Sequence, residues 1–227
     1  MATKKTEVVE FKAMELATVD ITIAGTTPLI VHAWSEKAKR QMLDKQQKKA
    51  TKAKHDVKVP VNDMMAACYW LTPQPELGET DAQAEAAWEA AVEAGARFGF
   101  PVTGIKQSVI VGAYRAGLDV KQTELRGSFF LSGATYASTT DLAEIVGPAP
   151  VMREDMVKVG GMSKTADLRY RPEFRDWRIP LRMTYNANGK YSLEQLLNCF
   201  NVGGFACGIG EWRPERDGQF GMYRLEV

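Results

Sequence analysis

The stretch RDWRIPLRMTY, residues 175–185, constrains the fold more than any other part of this chain. Trp177, Ile179, Leu181, Met183 and Tyr185 alternate with Arg178, Arg182 and Thr184, the two-residue period of a strand with one apolar and one wet face. Pro180 interrupts the donors of that strand, which predicts an edge position or a bulge.

Other elements are read around it. Residues 18–32, TVDITIAGTTPLIVH, alternate through Val19, Ile21 and Ile23, turn at Gly-Thr-Thr-Pro and then run apolar, as one strand with a kink or an edge position. Asn62 and Asp63 read as the cap of a short apolar helix within 59–71. A loop follows from Pro73, then an acidic, Ala-rich helix over 81–96 with Trp88 and Val92 four apart. At 98–117 an apolar-Pro step leads into a helix with Ile105, Val109, Gly112 and Ala113 on one face. Strands are expected at 124–131 and, as part of a hairpin, at 151–159; a short apolar turn or helix is expected at 141–146. Ser192 opens a helix with Glu194 in its first turn, Gly203-Gly204 ends it, and residues 219–227 form the final strand.

Without the excursions the order is strand, helix, strand, strand, helix, strand. This β-α-β-β-α-β plan predicts an α+β, ferredoxin-like (RRM-like) core in a single domain spanning 1–227. The excursions are a basic, thumb-like insertion at about 34–58, a helical insertion at about 59–97 and a loop or hairpin at about 133–170. Such a sheet buries one face under two helices and leaves the other free for a ligand, an insertion or another subunit.

Composition excludes several classes. At 227 residues and 45% hydrophobic content the chain buries one sizeable core, or at most two small ones, and is not disordered. No apolar run reaches the ~18–20 residues a bilayer span needs, and the N-terminus lacks a signal-peptide core, so a cytoplasmic location without membrane partners is expected. Cys68, Cys199 and Cys207 have no metal-ligand spacing and read as reduced structural thiols. The net charge of +1 conceals a strong asymmetry. Between residues 36 and 58, Lys37, Lys39, Arg40, Lys45, Lys48, Lys49, Lys52, Lys54 and Lys58 face only Glu36, Asp44 and Asp56. From Glu76 to Glu93 there are six acids and no Lys or Arg. A basic arm and an acidic face suit phosphate binding and head-to-tail docking of copies; a solvated loop is the alternative for the arm.

The chain closes on GIGEWRPERDGQFGMYRLEV. Gly208-Ile209-Gly210, seven residues, then Gly218-Gln219-Phe220-Gly221 resembles the glycine-rich loop of the RAMP superfamily, found in CRISPR effector backbone subunits and crRNA-processing nucleases. The segment FPVTGIKQS, residues 100–108, followed by Ala113-Tyr114-Arg115, is similar to that superfamily's apolar-Pro step and Lys-bearing helix. The spacer inside the loop is longer here, and its ending has one residue more than in the family. The resemblance implies an RRM-like core and binding to the backbone of single-stranded RNA or DNA, and the GIGEWRP ending resembles those of phage-encoded proteins; the expectation is a phage protein whose copies lie side by side as multimers or filaments along the strand, in recombination, replication or defence evasion.

The residues offer their own reasons for a nucleic-acid partner. Amides around Gly208, Gly210, Gly218 and Gly221 can form an anion-binding concavity, Arg213 and Arg216 can fork onto phosphate, and Trp212 can stack on a base. Residues 164–182 interleave Arg169, Arg171 and Arg178 with Tyr170, Phe174 and Trp177, the mix that single-strand binders use. Lys106 and Arg115 on the matching helix are further candidates, and for the basic arm the resemblance implies a thumb over the bound strand. The alternatives are core packing for the tryptophans and exposed salt bridges for the arginines. No catalytic motif or metal-ligand set is present and no cofactor is expected; catalysis would fall to His32, the one candidate general base, as in a metal-independent endoribonuclease. A self-assembling structural protein without nucleic acid is the remaining alternative.

Overall fold

The computed structural model describes residues 13–34, 36–47, 58–134, 142–159 and 165–226. In chain order they form β1 (Leu16–Gly25), β2 (Leu29–Ile30), α1 (Glu36–Gln46), α2 (Pro60–Ala66), α3 (Asp81–Glu93), β3 (Phe98–Pro101), α4 (Val102–Arg115), α5 (Gln122–Ser128), β4 (Phe129–Gly133), β5 (Leu142–Ile145), β6 (Val151–Val159), β7 (Thr165–Phe174), β8 (Arg178–Asn186), α6 (Leu193–Ala206) and β9 (Tyr223–Glu226). Helices and antiparallel sheets make this an α+β fold, and among the described residues no helix is long and apolar enough to cross a membrane.

The main sheet runs β4-β8-β1-β9 with every neighbour antiparallel. In β8, Ile179, Leu181 and Met183 are fully buried beside Ile23 of β1 and Phe129 of β4, while Arg178 and Arg182 stay exposed. α4 and α6 supply Ile105, Val109, Ala113, Leu196 and Phe200 to the same core. Burying each large apolar side chain contributes about 1.5–3 kcal/mol, which is why the alternation of β8 fixes its face so firmly.

Pro180 sits in an inner strand, opposite Thr22, not at a sheet edge. Its carbonyl accepts from the Ala134 N–H at 3.3 Å, so its nitrogen faces the β4 side. The last β4 residue, Gly133, pairs with Leu181, and no strand residue there requires the missing donor. Gly203 and Gly204 lie inside α6, which continues to Ala206; they mark a close crossing of α4, where a Cβ on Gly203 would stand 2.7 Å from the Val109 Cα.

Four other expectations are corrected. Residues 124–131 divide into α5 and β4: Leu125 and Phe129, four apart, both reach the core, and so short a pattern does not separate helix from strand. Residues 142–145 form β5, paired with β3 from Phe98↔Ile145 to Pro101↔Leu142; two four-residue strands carry too few residues for a period. Residues 18–32 make two strands in different sheets, because the chain leaves β1 and pairs β2 with β7. Val59, without a side-chain bond, holds the N-cap position of α2, and Pro60 opens the helix. Asn62 instead grips the loop ahead of α3, its Nδ2 donating to Gly78 O at 2.7 Å and its Oδ1 accepting from Gly78 N–H at 3.1 Å.

β6 and β7 form the expected hairpin, paired from Val151↔Glu173 to Val159↔Thr165. One of its faces carries an ion network. Arg153 donates to Asp155 and Glu173 at 2.9 Å each, and Arg175 donates to Glu173 at 2.8 Å. The opposite face exposes Met152, Met156 and Leu168.

Candidate functional site

The loop from Gly208 to Met222 folds back on its own chain. Ser192 and Gln195 close a capping box at the start of α6, and from the far end of that helix the loop docks on β2. Ile209 N–H donates to Gly221 O, Glu211 N–H to Ile30 O and Gly221 N–H to Pro28 O, at 2.8–2.9 Å. Gly210 and Gly221 adopt φ of 76° and 65°, and a Cβ on Gly210 would press 2.7 Å from Leu29 Cδ1. Gly208 also has a left-handed φ, whereas Gly218 lies against the backbone of Trp212 with no left-handed φ. The approach that these glycines allow is therefore to β2 and to the loop itself. The amides of Phe220 and Met222 also bond within this assembly, to Trp212 O and Thr27 Oγ1, so the final strand starts only at Tyr223.

Arg213 is part of that scaffold. Its guanidinium donates to Glu215 Oε2 at 2.8 and 2.5 Å and to Gly210 O at 2.9 Å. Arg115 reaches the same loop from the end of α4, donating to Glu215 O at 3.3 Å. Arg216 and Trp212 stay exposed, Trp212 at φ 52°, an uncommon conformation for a bulky side chain.

Beside the loop opens a cleft of ≈ 190 Å³. One wall is the loop itself, from Cys207 to Glu211 with Arg213 and Glu215; another is the first turns of α4 with the preceding strand, Phe100, Gly104, Gln107 and Ser108; His32 and Tyr69 complete it. The two segments that carried the resemblance are distant in sequence and line one concavity, with His32 between them. Tyr69 and Phe100 meet edge to face at 6.4 Å. Ser108 Oγ is buried, 2.9 Å from Tyr223 Oη and 3.3 Å from Gly203 O, and ties the cleft wall to the helix crossing and to β9.

The cleft is electrostatically mixed. His32 Nδ1 lies 3.9 Å from Glu211 Oε1. Burial and then the Arg171 charge lower the His32 pKa, against an opposing pull from Glu211, so the imidazole is neutral at neutral pH. Arg169 lowers it further. Burial and Glu211 raise the Tyr69 pKa, and Lys39 of α1 opposes them. Arg171 and Arg169 thus act on His32, and Lys39 on Tyr69, from outside a lining that itself carries Glu211, Glu215 and Arg213. Burial raises the pKa of Cys207, which lines the cleft as a thiol.

The other candidate residues lie elsewhere. Lys106 is half-buried, its Nζ 4.1 Å from the Phe130 ring centroid and 5.3 Å from that of Phe129, and burial lowers its pKa. Arg178 crosses the open sheet face to Glu226 at 2.8 and 3.0 Å, and Arg182 forks onto Asp20. Arg171 is only 3% exposed; it donates to Asp155 at 3.3 Å and its Nε is the one buried side-chain donor left without a partner among the described residues. Arg169 pairs loosely with Asp167 at 3.8 Å. Trp177 is core, its indole N–H donating to Thr27 O at 2.9 Å, so it offers no stacking face. Lys45 lies on α1; Lys48, Lys49, Lys52 and Lys54 fall outside the described residues.

Tyr69, Gln107, Ser108 and Glu211 were not singled out from sequence. Gln107 and Ser108 stood within the quoted FPVTGIKQS segment and were readable as its polar wall; nothing around Tyr69 signalled a site. Compared with known proteins, no family model matches this chain and no curated protein matches it in sequence.

Proposed function

We propose that this chain is a non-enzymatic, single-stranded nucleic-acid-binding protein of RAMP-like type that multimerises along the strand, in phage recombination, replication or defence evasion. One observation carries the reading: the glycine loop, the FPVTGIKQS segment and His32 wall a single cleft, whose His32 and Tyr69 feel the positive charges of Arg169 and Lys39. Cations around a concave, partly aromatic surface are what a phosphodiester chain with unstacked bases requires. The sheet order β4-β8-β1-β9, with α4 linking β1 towards β4 and α6 linking β8 to β9, supports a ferredoxin-like core, and its wet face exposes Asp20, Arg178 and Arg182 among the described residues.

Multimerisation draws on two surfaces. α3 carries Asp81, Glu85, Glu89 and Glu93 at four-residue spacing, all exposed and without an ion-pair partner among the described residues. Like charges at that spacing disfavour a lone helix. α1 carries exposed Lys39 and Arg40 beside exposed Met42 and Leu43. At eleven residues it is too short to be stable alone, so an acidic surface of a neighbouring copy or a phosphate chain favours it.

The test is fluorescence anisotropy of labelled single-stranded RNA and DNA at two salt concentrations, with negative-stain imaging of the same mixtures. Salt-sensitive binding with ordered filaments or rings on one polymer is expected; salt-sensitive oligomers with no binding of either polymer overturn the reading.

A second reading is favoured by the placement of His32. A neutral imidazole on the wall of this cleft is suited to act as the general base of a metal-independent endoribonuclease. Cleavage of labelled RNA that His32→Ala abolishes would establish it over the leading reading.

A further inference from the structure

We infer that the cleft between the glycine loop and α4 is a pocket for one extruded guanine base. The inference rests on the single-strand reading for the source of that base and on the cleft itself for its identity. At ≈ 190 Å³ the space falls below the roughly 300–1,000 Å³ of sites for drug-sized ligands, so it suits a single ring system and not a whole nucleotide.

The lining selects among the bases. Tyr69 and Phe100, edge to face, give an apolar wall for a flat ring. Ser108 is fully engaged at the buried end with Tyr223 and Gly203, and Arg213 with Glu215 and Gly210, so neither is available to a ligand without rearrangement. Glu211 is different. Its backbone N–H is anchored on Ile30 O at 2.9 Å, yet its carboxylate accepts no hydrogen bond among the described residues and stands 3.9 Å from His32. The Gln107 amide, which lines the cleft from α4, is exposed and likewise without a partner among the described residues.

A rigidly based carboxylate with open acceptor positions seeks two adjacent donors. On its Watson–Crick edge guanine alone presents them, N1–H beside the N2 amino group. Adenine and cytosine offer one amino group next to a ring-nitrogen acceptor, and uracil or thymine one N–H between two carbonyls, which a carboxylate repels. Gln107 can supply the donor that guanine O6 needs. The phosphates of the same nucleotide and its neighbours would remain outside, near Lys39 and Arg169, which act electrostatically on the cleft residues Tyr69 and His32.

The test compares oligo-U carrying a central G, A or C with plain oligo-U, by anisotropy, for the intact chain and for Glu211→Gln, with GMP, AMP and UMP titrated separately by calorimetry. Gln keeps the size of the side chain and the backbone anchor but loses the paired acceptors. The expected result is about tenfold tighter binding of the G-containing strand, with a ratio to plain oligo-U that falls to near one in Glu211→Gln. Gln107→Ala, on the other wall, lowers the same ratio. Equal binding of all four strands by the intact chain overturns the guanine pocket and leaves the single-strand reading standing. Binding of GMP but not AMP or UMP, lost in Glu211→Gln, with no strand bound, upholds the pocket and overturns the single-strand reading. Absence of both overturns both.

Discussion

Gly112 of α4 and Gly203 of α6 meet backbone to backbone: a Cβ added to Gly112 would lie 2.5 Å from the Gly203 Cα. This contact sets the crossing of the two helices over the main sheet. Through Ser108 Oγ, which faces Gly203 O at 3.3 Å, it also sets the wall of the cleft. Gly112→Ala and Gly203→Ala are each expected to destabilise the protein by about 1–3 kcal/mol, since backbone cannot yield as a flexible side chain does. At this size that corresponds to a Tm lower by roughly 2–4 °C per kcal/mol, read by thermal unfolding. Unchanged Tm values would mean that the helices do not cross this closely.

Arg213 and Arg216, three residues apart, are expected to behave oppositely. Arg213→Ala removes the guanidinium that holds Glu215 and the Gly210 carbonyl, and lowers stability by about 1–3 kcal/mol in a denaturant titration. Arg216 is exposed, so Arg216→Ala leaves the stability within about 0.5 kcal/mol and weakens binding of single strands. If Arg216→Ala leaves binding intact as well, the loop is only a connector.

His32 makes stability depend on pH in a defined sense. Its pKa in the fold lies below the ordinary 6.5 because burial and Arg171 disfavour the imidazolium. As pH falls through the unfolded-state value the unfolded chain takes up the proton first, so the stability His32 contributes is full above about pH 6.5 and is lost progressively below it, until the folded-state pKa is passed. Unfolding midpoints measured from pH 8 to pH 5 should decline, and His32→Gln should flatten that decline. A His32 proton resonance titrating at or above 6.5 would contradict the placement of the ring.

Strand binding should carry the electrostatic signature of α1. With Lys39 and Arg40 both changed to Gln, the slope of log affinity against log salt is expected to shrink by about 0.7 for each phosphate that the variant no longer neutralises. A slope identical to that of the unchanged protein would place α1 against protein and not phosphate.

The acidic ridge of α3 gives a separate test of assembly. Glu85→Lys with Glu89→Lys reverses the charge at its centre on exposed positions, so the fold is expected to persist while self-association falls, by sedimentation velocity at low salt. Unaltered association would exclude α3 from the contact between copies.

Local patterning was enough for the strands and helices with long, clean periods. The alternation in 177–185, the Val19-Ile21-Ile23 run, the α3 helix and the Ser192 cap all emerged in place, because each is decided by which side chains leave water. The position of Pro180 in an inner strand depends on where β4 happens to end, and the continuation of α6 through Gly203-Gly204 on α4 lying against it. Neither is a property of the neighbouring residues. The same holds for the cleft. Glycine spacing marked Gly208, Gly210 and Gly221 as places of close approach, but only the docking of the loop on β2 made the chain itself the approaching body. Sequence alone determined the α+β composition, the buried face of the main strands and the separation of basic from acidic segments, since those follow from composition and period. Tertiary structure decided that His32, Tyr69, Gln107 and Glu211, up to 179 positions apart, share one concavity, because long-range packing, and no local preference, sets which polar groups face each other.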